Sequence, residues 1–243
     1  MDSKFLLGLE ADWSALSPRS YLRGIQAISN LRRLDFRQNV TFLVGENGTG
    51  KSTLLEAIAV AWGFNPEGGT INYRFETYND VSELSNGVRL LRGYRRPRSS
   101  YFFRAESFFN LATKAEEYDA MNPRGHSFGG WGLHQQSHGE SFLAFFQSFE
   151  EEGLYLMDEP EAALSPQRQL SLLIQIHRMA QAGAQFLIAS HSPILLGLPG
   201  AELLSFDGGQ IHPCTYEETE SYQVTKLFLN NREQLLRRML EEP

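Results

Sequence analysis

An α/β fold with a mainly parallel central sheet, an antiparallel β edge and a small helical subdomain is what this sequence predicts. Three observations carry that expectation. Val40-Thr-Phe-Leu-Val44 is a β-branched, apolar run, and a glycine-rich turn joins it to residues 52–61, which read as a helix. Gly153-Leu-Tyr-Leu-Met157 is a second buried-strand run, ending in Asp158-Glu159-Pro160. Ser165-Pro166 then opens a helix, with Ser as N-cap and Pro at the first helical position; it stops near Gly183, and Gln185-Phe-Leu-Ile-Ala189 is the next strand. A strand–helix–strand unit implies parallel strands and a right-handed crossover. In such sheets chemistry collects at the carboxyl ends of the strands.

The remaining elements follow in order. Residues 1–44 read as a sheet edge followed by the strand that enters the turn. Val88–Leu91 and Ser100–Phe103 read as strands flanking an arginine-rich turn at Tyr94–Arg98. Ser107–Tyr118 is helical in pattern. Residues 122–141 are loop-like, with glycines at 125, 129, 130, 132 and 139, and a helix is expected from Glu140 to about Glu151. The chain is therefore expected to form one domain, 1–243, with a small helical subdomain at 107–150 inserted in it.

Composition narrows the class of protein. The chain has 243 residues, 42% hydrophobic and 21% charged, enough for one large domain with an ordinary core. No apolar run approaches the roughly 18 residues of a membrane span, so no transmembrane segment is expected. The first ten residues carry an acid at position 2 and too short an apolar stretch for an export signal. Cys214 is the single cysteine, which excludes an internal disulfide and fits the cytoplasm. A net charge of −7 argues against a globally basic nucleic-acid binder. The charge is uneven, however: Arg89, Arg92, Arg95, Arg96, Arg98 and Arg104 fall close together, leaving a local basic face as a candidate contact for nucleic acid, against its reading as a solvated hairpin.

The turn after Val44 reads Gly45-Glu46-Asn47-Gly48-Thr49-Gly50-Lys51-Ser52, a match at every fixed position to G-x-x-x-x-G-K-[ST]. Its chemistry suits polyphosphate. Backbone N–H groups and the helix N-terminus, with Thr53 in its first turn, converge on one point, and glycines let the backbone wrap closely. Lys51 would reach the β- and γ-phosphates, and the Ser52 hydroxyl would ligate Mg²⁺. The fold is therefore expected to be that of a P-loop NTPase.

Three further features select hydrolysis. Asp158 ends a strand and is placed to hold Mg²⁺, with Glu159 beside it to orient and polarise a water. His191 stands at the end of the next strand, where it could contact the γ-phosphate. Ser137-His138-Gly139 forms a small serine–glycine anion nest ahead of an expected helix.

With these motifs in place, the chain resembles the ATP-binding-cassette class of ATPases. Walker A is 45–52, Walker B is Leu154–Glu159 and the switch histidine is His191. Residues 43–48, 137–141, 158–166 and 189–194 look like those of a family of stand-alone bacterial ATPases related to the SMC and RecF proteins. The resemblance spans nearly the whole chain and implies ATP and Mg²⁺ as ligands. It makes Gln136–Glu140 a degenerate signature in which Ser137 and Gly139 match, and Ala162–Ser165 the D-loop. Glu106 takes the place of the Q-loop glutamine as an oxygen ligand near Mg²⁺, with Arg104 the alternative as a phosphate contact. Tyr21 is the expected adenine-stacking residue, with Trp13 and Arg23 as alternatives. An ATP-dependent homodimer is implied, each signature loop completing the partner's site, coupled to an unknown protein or DNA partner. Two other roles share this outline: the nucleotide-binding subunit of a membrane transporter, and a DNA-associated or defence ATPase.

Overall fold

The structure is a computed structural model that describes residues 4–71, 82–105, 146 and 152–241. In chain order the strands are β1 (Leu6–Ala11), β2 (Arg33–Asp35), β3 (Val40–Val44), β4 (Gly69–Thr70), β5 (Val88–Arg92), β6 (Ser99–Arg104), β7 (Gly153–Asp158), β8 (Gln185–Ala189), β9 (Glu202–Ser205) and β10 (His212–Cys214). The α-helices are α1 (Gln26–Ser29), α2 (Lys51–Trp62), α3 (Leu84–Gly87), α4 (Pro166–Gln181), α5 (Pro193–Leu196) and α6 (Glu220–Glu241). The helical subdomain expected at 107–150 lies outside the described residues, apart from the buried ring of Phe146.

The central sheet runs β10-β9-β3-β8-β7-β6-β4. Its five inner strands are parallel, while β10 and β4 close the two edges antiparallel. A second sheet, β2-β1-β5, is wholly antiparallel and supplies the expected β edge. Inner strands of a parallel sheet are covered on both faces, which explains their unbroken apolar runs. Along β7, Leu154 and Leu156 join one core while Tyr155 and Met157 join the other. Along β8, Leu187 and Ala189 face the first, and Phe186 and Ile188 the second. Helix α2 fills the first core with Leu54, Leu55 and Ile58, and α4 fills the second with Leu172, Ile176 and Met179.

The two sheets are stitched by one polar side chain. Gln185, buried at the start of β8, accepts from the backbone N–H groups of Phe5 and Leu6 and donates to Leu6 O at 2.7 Å. The two strands that flank the arginine-rich turn do not pair with each other. β5 joins β1 in the antiparallel sheet, and β6 lies parallel to β7 in the central one. The turn is thus a crossover between sheets, and its arginines serve that junction. Arg92 donates to Ala61 O at the end of α2 and lies over the Trp62 ring. Arg95 and Arg98 both pair with Glu152, each at 3.2 Å. Arg89 pairs with Glu10 across β1, while Arg96 is exposed.

This topology places the ends of β3, β8, β7 and β9 side by side. The phosphate-binding loop, His191, Asp158-Glu159 and Asp207 follow those four ends.

Candidate nucleotide site

The loop between β3 and α2 is built as its glycines require. Gly45 has φ +136°, and a Cβ there would come within 2.8 Å of Asp207 Oδ1. Gly50 has φ +98° as the residue that caps α2, and a Cβ would enter the side chain of Ile28. Both conformations favour a residue without Cβ. Asp207 is the external brace of this loop: its Oδ1 accepts from Glu46 N at 2.9 Å. The Lys51 ammonium is buried and donates to Gly45 O at 2.8 Å and Glu46 O at 2.7 Å, which holds it over the mouth of its own loop. Burial pushes its pKa down, against the opposing pull of Glu159, Asp207, Asp158 and Glu161.

Across the sheet, Ser52 Oγ donates to Asp158 Oδ1 at 2.9 Å, joining residues 106 positions apart. A hydroxyl and a carboxylate oxygen brought together at a strand end form the hard-oxygen donor set that Mg²⁺ prefers. Arg104 is held beside them. Its guanidinium pairs with Glu56 at 2.9 Å, donates to Pro66 O, and lies 3.8 Å from Asp158 Oδ2. Arg104 therefore contributes positive charge behind the Asp158 carboxylate, and Glu56 anchors it to α2.

Glu159 adopts the left-handed region, φ 50°, the one non-glycine residue with positive φ among those described. Its amide donates to Ala189 O, and its carboxylate is half exposed, 4.0 Å from His191 Nε2. The His191 backbone N–H donates to Glu161 Oε1 at 2.6 Å. Burial lowers the pKa of His191, and the nearby Lys51 charge lowers it further, so the imidazole is neutral near pH 7. Burial raises the pKa of Glu161, opposed by the hydrogen bond from His191 N.

A cavity of about 480 Å³ adjoins the loop, walled by Gly24–Ala27, by Glu46, Gly48 and Thr49, and by Phe206–Gly209. Tyr21 does not line it. That ring is 62% exposed, and its hydroxyl meets Ser82 Oγ at 3.3 Å. The two alternatives are engaged with each other: Arg23 lies over the Trp13 ring, 5.2 Å from its centroid. Ile25 and Phe206 are among the apolar residues that line the cavity.

The structure thus gathers Lys51, Ser52, Asp158, Glu159 and His191 at one end of the sheet. Asn47 and Gly48 form the exposed crest of the loop, and Thr49 Oγ1 donates to Glu46 O. Thr53 is half-buried in the first turn of α2. Glu106, Ser137 and Gly139 lie outside the described residues. Glu56, Glu161 and Asp207 are members of the constellation that sequence reasoning did not single out.

A mainly parallel sheet with a phosphate-binding loop after β3 and an acidic pair after β7 defines the fold class: that of a P-loop NTPase. Two family models match parts of the chain. One described as "AAA domain" matches residues 21–103, and one described as "AAA domain, putative AbiEii toxin, Type IV TA system" matches residues 141–197. No curated protein matches the chain. Among solved structures, one titled "An inward-facing conformation of a putative metal-chelate type ABC transporter" is 15% identical, with a TM-score of 0.51, covering 93% of this chain and 89% of that one. An SMC head domain from Thermotoga maritima is 14% identical, with a TM-score of 0.45, covering 87% of this chain and 99% of its own. The protein cbiO1 from Clostridium perfringens, part of an ABC transporter complex, is 14% identical, with a TM-score of 0.48, covering 98% of this chain and 99% of its own.

Proposed function

We propose that this protein binds and hydrolyses Mg-ATP in the cytoplasm, and that two copies sandwich the nucleotide so that hydrolysis drives their association and release. The observation that carries the reading is the 2.9 Å bond between Ser52 Oγ and Asp158 Oδ1, with Lys51 over the loop and Glu159 and His191 4.0 Å apart at the neighbouring strand ends. When bound between Ser52 and Asp158, Mg²⁺ would neutralise phosphate charge and align the β- and γ-oxygens.

The chain's own residues supply the rest. Loop amides and Lys51 bind the phosphates, and Lys51 exchanges its two carbonyl partners for phosphate oxygens. The cavity beside the loop, with Ile25 and Phe206 in its walls, has the volume and mixed polarity of a nucleoside site. Glu159 has the exposure needed to accept a proton from an attacking water. A neutral His191 can donate one hydrogen bond toward the γ-phosphate without adding charge to Glu159. Ser137 and Gly139 of a second copy would close the site over the γ-phosphate.

The arginine cluster gives the DNA-associated role little support, because Arg89, Arg92, Arg95, Arg98 and Arg104 all have partners inside the chain.

Light scattering tests nucleotide binding and pairing together. Glu159→Gln with Mg-ATP should run at about twice the 27.6 kDa of one chain and return to one chain without nucleotide. A single-chain mass at tens of micromolar protein with saturating Mg-ATP would refute the sandwich.

A further inference from the structure

Glu161 has no part in the reading above, yet it ties the two halves of the site together. The ends of β7 and β8 are joined twice beyond the sheet. Glu159 N donates to Ala189 O at 3.0 Å, a backbone bond. Glu161 Oε1 accepts from His191 N at 2.6 Å, and this second tie is made by a side chain. Between them Glu159 sits at φ 50°, a conformation that costs a non-glycine residue on the order of 1 kcal/mol and persists only when its surroundings enforce it. Two atoms in this cluster are enclosed and have no hydrogen-bond partner among the described residues: Glu161 Oε2 and His191 Nε2. Enclosing an incompletely paired carboxylate destabilises a fold, so a role in holding the fold alone is poorly served by glutamate. Strained backbone and underpaired polar atoms gather where geometry matters to chemistry.

We infer that Glu161 is a positioning residue for the hydrolytic step: its carboxylate grips the His191 backbone and keeps the imidazole facing Glu159. This rests on the ATPase reading, but the geometry it asserts is measurable without turnover. Glu161→Ala removes the acceptor. Glu161→Gln keeps an oxygen in the same place, so it should restore what alanine loses.

The experiment has two readouts. The first is steady-state phosphate release from Mg-ATP. Glu161→Ala should lose about 10- to 100-fold in kcat with KM within about threefold, as expected for loss of an orienting contact, and Glu161→Gln should stay within about threefold of wild type. The second is the imidazole NMR signal of His191 without nucleotide at pH 8.5, assigned by its disappearance in His191→Gln. It should move or broaden in Glu161→Ala and keep its wild-type line width in Glu161→Gln, with the His177 and His212 signals fixed in both. A His191 signal unmoved in Glu161→Ala overturns the positioning role whatever the activity. Equal kcat losses in Ala and Gln at unchanged melting temperature overturn it too. If Glu161→Ala does not fold, Glu161→Asp, whose shorter carboxylate cannot reach His191 N, takes its place with the same expectations. A wild type that releases no phosphate, with a His191 signal that still responds to Glu161, would sink the ATPase reading and leave the contact standing.

Discussion

At the scale of residues, the site divides into those a motif announces and those only the fold reveals. That Lys51, Ser52, Asp158, Glu159 and His191 meet at one end of the sheet was legible, because the strands that carry them are plain and the motif fixes where they stand. Glu161 and Asp207 were not. Each binds a backbone N–H far along the chain, Glu161 to His191 and Asp207 to Glu46, and a backbone partner leaves no residue-type signal. Tyr21 follows in sequence from its distance to Lys51, and the fold leaves its ring exposed outside the cavity that Ile25 lines.

Glu161 also gives the protein a pH signature. Its folded-state pKa is raised above 4.5, so its contribution to stability is full below pH 4.5 and lost as pH rises through the folded value. Glu161→Gln imitates the neutral form at every pH. It should melt above wild type at pH 8, with the difference shrinking toward pH 4.5. His191 has the opposite sign: its pKa is lowered, so its contribution is full above about 6.5 and lost below. Melts from pH 4.5 to 8 separate the two, and a glutamine variant less stable than wild type at pH 8 would contradict the burial cost assigned to Glu161.

At the scale of elements, the strand–loop–helix and strand–helix–strand units stood where their patterns put them, because periodicity and caps are local. α4 begins at Pro166 after Ser165 and ends at Gln181, two residues before Gly183. The partnership of β5 and β6 was not legible, since short strands carry no label for the sheet they join. Their arginines make the same point: clustered charge in a sequence became helix-end contacts and ion pairs at a junction between sheets. Gln185 looked like a strand's first residue and is the polar link between the two sheets. Gln185→Leu would leave two buried N–H groups and one carbonyl without this partner, at a cost of about 3 kcal/mol. Urea unfolding should show a lower midpoint at unchanged m-value, and a shift worth under about 1 kcal/mol would show that the sheets are held without it.

At the scale of the molecule, the parallel sheet is the device that makes a site from separated segments: 45–52, 158–161, 191 and 207 meet only because β3, β7, β8 and β9 run in one direction. Among the described residues no helix is long and apolar enough to cross a membrane. α6 carries Val224, Leu227, Phe228, Met239 and Leu240 exposed, while Glu220 at its start borders the cavity beside the loop. In the proposed function Glu159 activates the water that attacks ATP. The most direct measurement is phosphate release by Glu159→Gln at saturating Mg-ATP, alongside calorimetric titration of the same protein with ATP. Its kcat should fall by about 10²-fold or more while the ATP affinity stays within about threefold of wild type. A variant that binds ATP and turns it over at the wild-type rate would contradict this role.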